Sequence, residues 1–312
     1  GSLHGLGGAS RFQRQRQRGM PPARGRIRFT TLESQHRREE GSLTPYTSSS
    51  TLTTIRLTCA AARGCDELPR YLSEMSAIST SDNVVICECV ARDGLQNEPD
   101  FVPTDVKRAL IERFAQLGFI RVEATSYSNP KIVPQFADAS ELLRQLERRE
   151  GVFYKATCAN LKAVERACAD RKAGTGVNEI SLLVSASEAH TAKNLRATRE
   201  DQWKNVANMA AVAKDQFRLV GVVSVALGCP CEGRVDPGIV VDDVARFVDL
   251  GVHHVAIGDT TGMGTPGTVR ELFRRLTREL PLLVPIAHFH DTRGTGLVNC
   301  IAALETGVRH FD

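Results

Sequence analysis

The sequence predicts an α/β fold, a TIM (β/α)8 barrel, on three observations. From Val84 onward short apolar strands alternate with amphipathic helices, a glycine repeatedly separates helix from the next strand, and the strands number eight. A doubly wound parallel sheet is the alternative. Against it, no Gly-x-Gly-x-x-Gly follows the first strand, and polar residues recur at strand C-termini, the rim where a barrel carries its active site.

The first strand is expected over Val84–Cys89, with Cys87 and Cys89 as small core residues two apart. Thr104 is the expected N-cap of a helix presenting Val106, Leu110, Phe114 and Leu117, which Gly118 ends in a left-handed cap before a second strand over Phe119–Glu123. The third strand is placed at Phe153–Thr157, and Gly176 precedes the fourth at Glu179–Val184. After a fifth strand at Leu219–Ala226, Asp236-Pro237 opens a helix, and Gly251 announces the sixth strand at His253–Ile257. Pro285–His290 is the seventh strand, and Gly307 introduces an eighth at Val308–Asp312.

The 312 residues suit one barrel of roughly 250 residues with an appendage, and no apolar run approaches the ~20 residues of a membrane helix. Residues 1–74 hold twelve Arg, no Lys and six acidic residues, a formal +6, which leaves 75–312 at −2. That stretch is rich in Arg and Ser without periodicity, so it is expected to be a disordered extension, an expression remnant or upstream translated sequence, with the barrel domain over 75–312 beginning at Met75. An RNA-associated role for Phe12–Arg18 is a separate, non-enzymatic reading, but nothing basic interleaved with aromatics continues into the folded part. Nine Cys without regular spacing fit a reducing compartment, with the cytoplasm expected and the mitochondrial matrix as the alternative if the Arg-rich leader is genuine.

Arg92-Asp93 follows the first strand and so lies at the barrel mouth, where a plain loop ion pair is the bland reading. His288 and His290 change the balance, because residues two apart on a strand point to the same side and can reach one ion. Strands one and seven flank strand eight in a closed ring, so Asp93 completes a mixed N/O set suited to Mg²⁺ or Mn²⁺.

Arg92–Asn97, Glu123–Ser126, Ser224–Gly233, Gly258–Gly262 and His288–Asp291, in that order, resemble the 3-hydroxy-3-methylglutaryl-CoA lyases over about 84–312. The resemblance implies cleavage of that thioester to acetyl-CoA and acetoacetate, within leucine degradation and ketone body metabolism, with Asp93, His288 and His290 as metal ligands. It implies that Arg92 stabilises the thioester enolate and that His288 returns a proton to it. Glu123, expected at the mouth end of its strand, is either a positioner of Arg92 or substrate, or a buried structural acid. Asp259 is either an active-site acid or a loop cap. Glu88 is expected to point inward and pair with Arg92, and Asn160 and Lys162 to meet CoA phosphates at a helix N-terminus. Cys229 follows the fifth strand and is read as structural, and His190, His253 and His254 as surface or packing residues.

A superfamily transferase or aldolase acting on a 2-keto acid is the alternative enzyme, which Gly228-Cys229-Pro230 disfavours. The family has a glycine-rich loop after strand eight with a catalytic Cys and, further on, an Asn in the metal shell, whereas this sequence stops at Asp312. The expectation is therefore a barrel incomplete at its C-terminal end, unclosed, with exposed strand edges and uncovered core surface, and with little or no turnover. The expected partners are a small acyl-CoA and, at full length, a second copy in a homodimer, with no nucleic acid or membrane.

Overall fold

The computed structural model describes residues 83–312, so the expected extension over 1–74 and the start at Met75 lie outside the described residues. Eight parallel strands close into a ring in sequence order: β1 (Val85–Glu88), β2 (Arg121–Ser126), β3 (Phe153–Cys158), β4 (Glu179–Ser185), β5 (Arg218–Ser224), β6 (His254–Asp259), β7 (Val284–Phe289) and β8 (His310–Phe311). The intervening helices are α1 (Thr104–Gln116), α2 (Ala139–Gln145), α3 (Leu161–Lys172), α4 (Glu188–Leu195), α5 (Arg199–Ala213), α6 (Pro237–Asp249), α7 (Pro266–Glu279) and α8 (Gly296–Leu304). The side chains of Asn160, Ser187, Thr198, Asp236 and Thr265 each accept a backbone N–H in the first turn of α3, α4, α5, α6 and α7, which fixes where those helices begin.

Alternation along the strands divides the molecule into two environments. Val122, Ala124, Tyr154, Ala156, Ile180, Leu182, Val223, Val255, Ile257, Ala287 and Phe311 belong to the large core shared with the helices. The residues between them point into the lumen. On the β5–β7 side these are Val220, Ala256 and Ile286, which form their own small apolar cluster. On the other side they are Arg121, Glu123, Lys155 and Glu179, all buried.

The expected open edge is absent. Val85 and Ile86 of β1 pair with His310 and Phe311, which also pair with Ile286 and Ala287 of β7, so two residues of β8 suffice because each is bonded on both sides. The backbone N–H of Asp312 donates to Ala287 O at 3.0 Å and that of Val85 to Arg309 O at 2.8 Å, extending the seam at both ends. On the outer surface Ile86 is 52% and Leu297 78% exposed.

Helix α1 corrects its predicted cap and face. Pro103 is its N-cap, and Thr104 is its first residue, donating its hydroxyl to Asp138 Oδ2 at 2.8 Å. The fully buried face is Lys107, Ile111 and Ala115; of the predicted face, Phe114 packs against the core and Leu110 is half-buried, while Val106 and Leu117 are exposed. The apolar pattern misassigned the face because a lysine lies on it. Lys107 Nζ donates to Gln135 O and Asp138 and sits 4.1 Å from the centre of the Phe101 ring, contacts that compensate a cation taken from water.

Candidate metal centre

Immediately after β1 the chain makes a single π-helical turn, Val90–Gly94, rather than an open loop. The backbone N–H groups of Arg92 and Asp93 both donate to Cys89 O, at 3.0 and 2.7 Å, which aims the two side chains at the mouth. Across β8, His288 lies in β7 and His290 just beyond it. Their Nε2 atoms are 3.2 Å apart, and each lies 3.4 Å from Asp93 Oδ2. Donors at adjacent corners of an octahedral ion with ~2.1 Å bonds are about 3 Å apart, so the three atoms form one face of such a site to within a few tenths of an ångström. Burial alone raises the Asp93 carboxyl, but the His288 hydrogen bond and the Arg92, His288 and His290 charges bring it down to about 2, so it is ionised and ready to ligate. Burial and the neighbouring His288 lower His290, keeping its ring neutral, as a ligand must be.

Behind this triangle stands a chain of charges. Arg92 Nη1 donates to Asp93 Oδ1 at 3.1 Å, and Arg92 Nε lies 2.8 Å from Glu123 Oε1, off the donor axis, so that Nε keeps an unused donor among the described residues. Thr157 Oγ1 donates to Glu123 Oε1 at 2.6 Å, and Lys155 Nζ is 3.4 Å from Oε2. Burial opposes ionisation of Glu123, but Arg92 and Lys155 hold its carboxyl far below the usual carboxylate range. Further down the lumen Arg121 donates from Nε and Nη2 to Glu179 Oε1 at 3.2 and 2.8 Å, and Asp312 accepts from Arg121 Nη1 at 2.9 Å and Lys155 Nζ at 2.5 Å.

The structure thus brings together Arg92, Asp93, Glu123, His288 and His290. Glu123 lies in the middle of β2, not at its mouth end, because the strand runs on to Ser126 past a register shift between Glu123 and Thr125. Glu88 does not pair with Arg92: it is part-exposed and accepts the Val90 N–H at 2.8 Å, while Cys87 and Cys89 take the inward positions. Sequence reading missed Lys155, Arg121 and Asp312, although Arg121 and Lys155 sit at inward parity on β2 and β3 and Asp312 directly follows β8.

Asp259 ends β6 and spends both carboxylate oxygens on backbone donors, accepting Met263 N at 2.8 Å and Gly264 N at 3.0 Å. The loop it closes rests against His290. Gly262 has φ +63°, and a Cβ there would lie 2.9 Å from His290 O, so only glycine fits. The neighbouring loop after β5 holds Val225 at φ +53°, a strained conformation for a β-branched residue, pinned by Val225 N donating to Thr260 Oγ1 at 2.8 Å. Cys229 is buried, donates from Sγ to Ser187 Oγ at 3.0 Å, and joins Gly233 in an antiparallel bridge, which is a structural placement. Its neighbour His190 bonds Ser185 Oγ through Nδ1 at 2.9 Å, while His254 stacks edge-on against His310. Asn160 uses its side chain to cap α3, accepting Ala163 N at 3.0 Å, and with Lys162, Glu165 and Asn205 lines an open depression of about 410 Å³.

A family model described as HMGL-like matches residues 83–312. The chain is 37% identical to the mitochondrial hydroxymethylglutaryl-CoA lyase of Mus musculus, covering 77% of this chain and 75% of that protein. It is also 37% identical to the cytoplasmic 3-hydroxy-3-methylglutaryl-CoA lyase of Danio rerio, over 80% of this chain and 70% of that one. Among solved structures it is similar, with TM-score 0.70 and 34% identity over 75% of each chain, to an HMG-CoA lyase from Acinetobacter baumannii in complex with coenzyme A and 3-methylmalate.

Proposed function

The chain belongs to the HMGL-like family and is a carbon–carbon lyase, and from that premise we propose how its residues divide the splitting of 3-hydroxy-3-methylglutaryl-CoA into acetyl-CoA and acetoacetate. The observation that carries the reading is the Asp93–His288–His290 triangle with the Arg92–Glu123 pair directly behind it. Asp93, His288 and His290 would hold a divalent cation of the Mg²⁺ or Mn²⁺ class. Such an ion, when bound, lowers the pKa of the tertiary hydroxyl and orients it.

As the hydroxyl proton passes to the imidazole of His288, the bond between that carbon and the α-carbon of the thioester breaks: the carbon becomes the ketone of acetoacetate, and the bonding pair leaves with the other fragment as a thioester enolate. Arg92 stabilises the enolate oxygen, because its guanidinium is preset by Glu123 and Asp93 and need not reorganise as charge develops. Glu123 acts through Arg92, a positioning role that Thr157 and Lys155 support. The imidazole of His288 returns the proton to the enolate carbon. Asp259 holds the 259–264 loop against His290, and the α3 N-terminus, with Asn160 and Lys162, takes the CoA phosphates. The compartment is the cytoplasm, with the matrix as alternative, and the assembled form is a homodimer; cell fractionation and sedimentation test these two readings.

The test is a coupled assay on 3-hydroxy-3-methylglutaryl-CoA with Arg92→Lys, Asp93→Asn and the parent chain, alongside manganese calorimetry. Whatever turnover the parent chain retains is expected to fall by about 10²–10³-fold in Arg92→Lys with manganese affinity kept, since the change removes a planar donor aimed at a developing oxyanion. Asp93→Asn is expected to lose manganese binding. Unchanged turnover in Arg92→Lys, or unchanged manganese binding in Asp93→Asn, overturns the assignment.

A further inference from the structure

The lumen holds a second cluster of donors that the lyase reading does not use. Cys87 and Cys89 occupy successive inward positions at the end of β1, and Cys89 Sγ lies 3.9 Å from Cys87 Sγ, donating its S–H toward it. Asp312 brings a carboxylate oxygen to the same place, and the three ligand atoms lie within 4.8 Å of one another. In a tetrahedral site with metal–sulfur bonds of about 2.3 Å, two sulfurs are about 3.8 Å apart, so the thiol pair already has the spacing of one tetrahedral edge.

From this geometry we propose that Cys87, Cys89 and Asp312 form a site for a thiophilic divalent cation of the zinc class, separate from the Asp93–His288–His290 site. The charge balance of the buried lumen permits it. Each thiol gives up one proton as its sulfur bonds the cation, so two protons leave as two positive charges enter, and the neighbouring Lys155, Arg121, Glu123 and Glu179 keep their partners. Asp312 is bonded to Arg121 and Lys155, one to each oxygen. A carboxylate offers about four lone-pair directions, so it contributes one to a cation without surrendering either contact. Ligand softness sorts the two sites. Thiolates select zinc or cadmium, whereas the carboxylate and imidazoles around Asp93 suit a harder ion. Cys89 lies between the two sites: its carbonyl takes the Arg92 and Asp93 N–H groups while its sulfur faces the other cluster.

The experiment titrates the full chain with cadmium under saturating magnesium and reads the thiolate-to-cadmium charge-transfer band in the ultraviolet. The parent chain is expected to take up one equivalent more than the double variant Cys87→Ser/Cys89→Ser, the other cysteines contributing equally to both. Cys89→Ser alone is expected to weaken that equivalent at least tenfold. Because buried serines can disturb folding, the parent protein is also crystallised and soaked in cadmium, with an anomalous peak expected between the two Sγ atoms. Identical titrations for parent and folded variants, or no anomalous density between the sulfurs, overturns the proposal. Neither result bears on the lyase reading, which is scored by Arg92→Lys and Asp93→Asn.

Discussion

The two sides of the barrel lumen are built from opposite chemistry. On the β5–β7 side, below His288, Val220, Ala256 and Ile286 pack as a small apolar cluster. On the β1–β4 and β8 side Arg121, Glu123, Lys155, Glu179 and Asp312 are buried in alternating charge. An apolar wall needs only volume, whereas a wall of ions needs every partner present, because each uncompensated charge in a low-dielectric interior costs several kcal/mol. The charged side lies beneath Arg92 and Asp93, and it fixes their orientation in advance.

The sharpest way to break this contrast is Arg121→Met. It strips Glu179 of its shortest ion pair and Asp312 of one of two, and a loss of about 3 kcal/mol is expected in urea unfolding. Adding Glu179→Met to Arg121→Met removes the stranded carboxylate and is expected to recover part of that loss, whereas a purely additive penalty would show that the ions are not coupled. On the apolar side, Ile286→Val deletes one methylene from a closely packed wall and is expected to cost about 1 kcal/mol in the same measurement, with manganese affinity unchanged.

The smallest effect belongs to His254, at the foot of β6. Burial, then Arg218 and His310, lower its pKa to about 4 from the ordinary 6.5. Above 6.5 the ring is neutral in the folded and unfolded chain alike; between 6.5 and 4 only the unfolded chain gains the proton, so stability falls as pH drops through that window and levels off below it. His254→Gln is expected to flatten the dependence of Tm on pH between 6.5 and 4, and a profile parallel to the parent's would assign the acid sensitivity elsewhere.

Much of this was legible before any coordinates. Alternation of apolar residues placed all eight strands, with bounds shifted by at most two or three residues, and the His288–x–His290 spacing at a strand end brought the two rings together with Asp93. What escaped sequence reading has a common cause. Lys107 and Lys155 are charges at buried positions, and a one-dimensional pattern scores charge as exposure because it cannot see Asp138 or Asp312 waiting across the fold. Glu88 takes the face opposite to the expected one, since a four-residue strand gives too few alternations to fix parity. The strain at Val225 left no mark, because nothing in the local sequence requires a left-handed valine.

By itself, then, the sequence determined the barrel, the identity of the residues at its mouth and the chemistry they can perform, because those depend on periodicity and on side-chain type. Tertiary structure alone decided which charges neutralise one another, that two residues of β8 close the ring, and how far apart the donor atoms lie. Those quantities depend on contacts between residues as distant in the chain as Arg121 and Asp312, and ring closure is what brings such residues to within 2.9 Å.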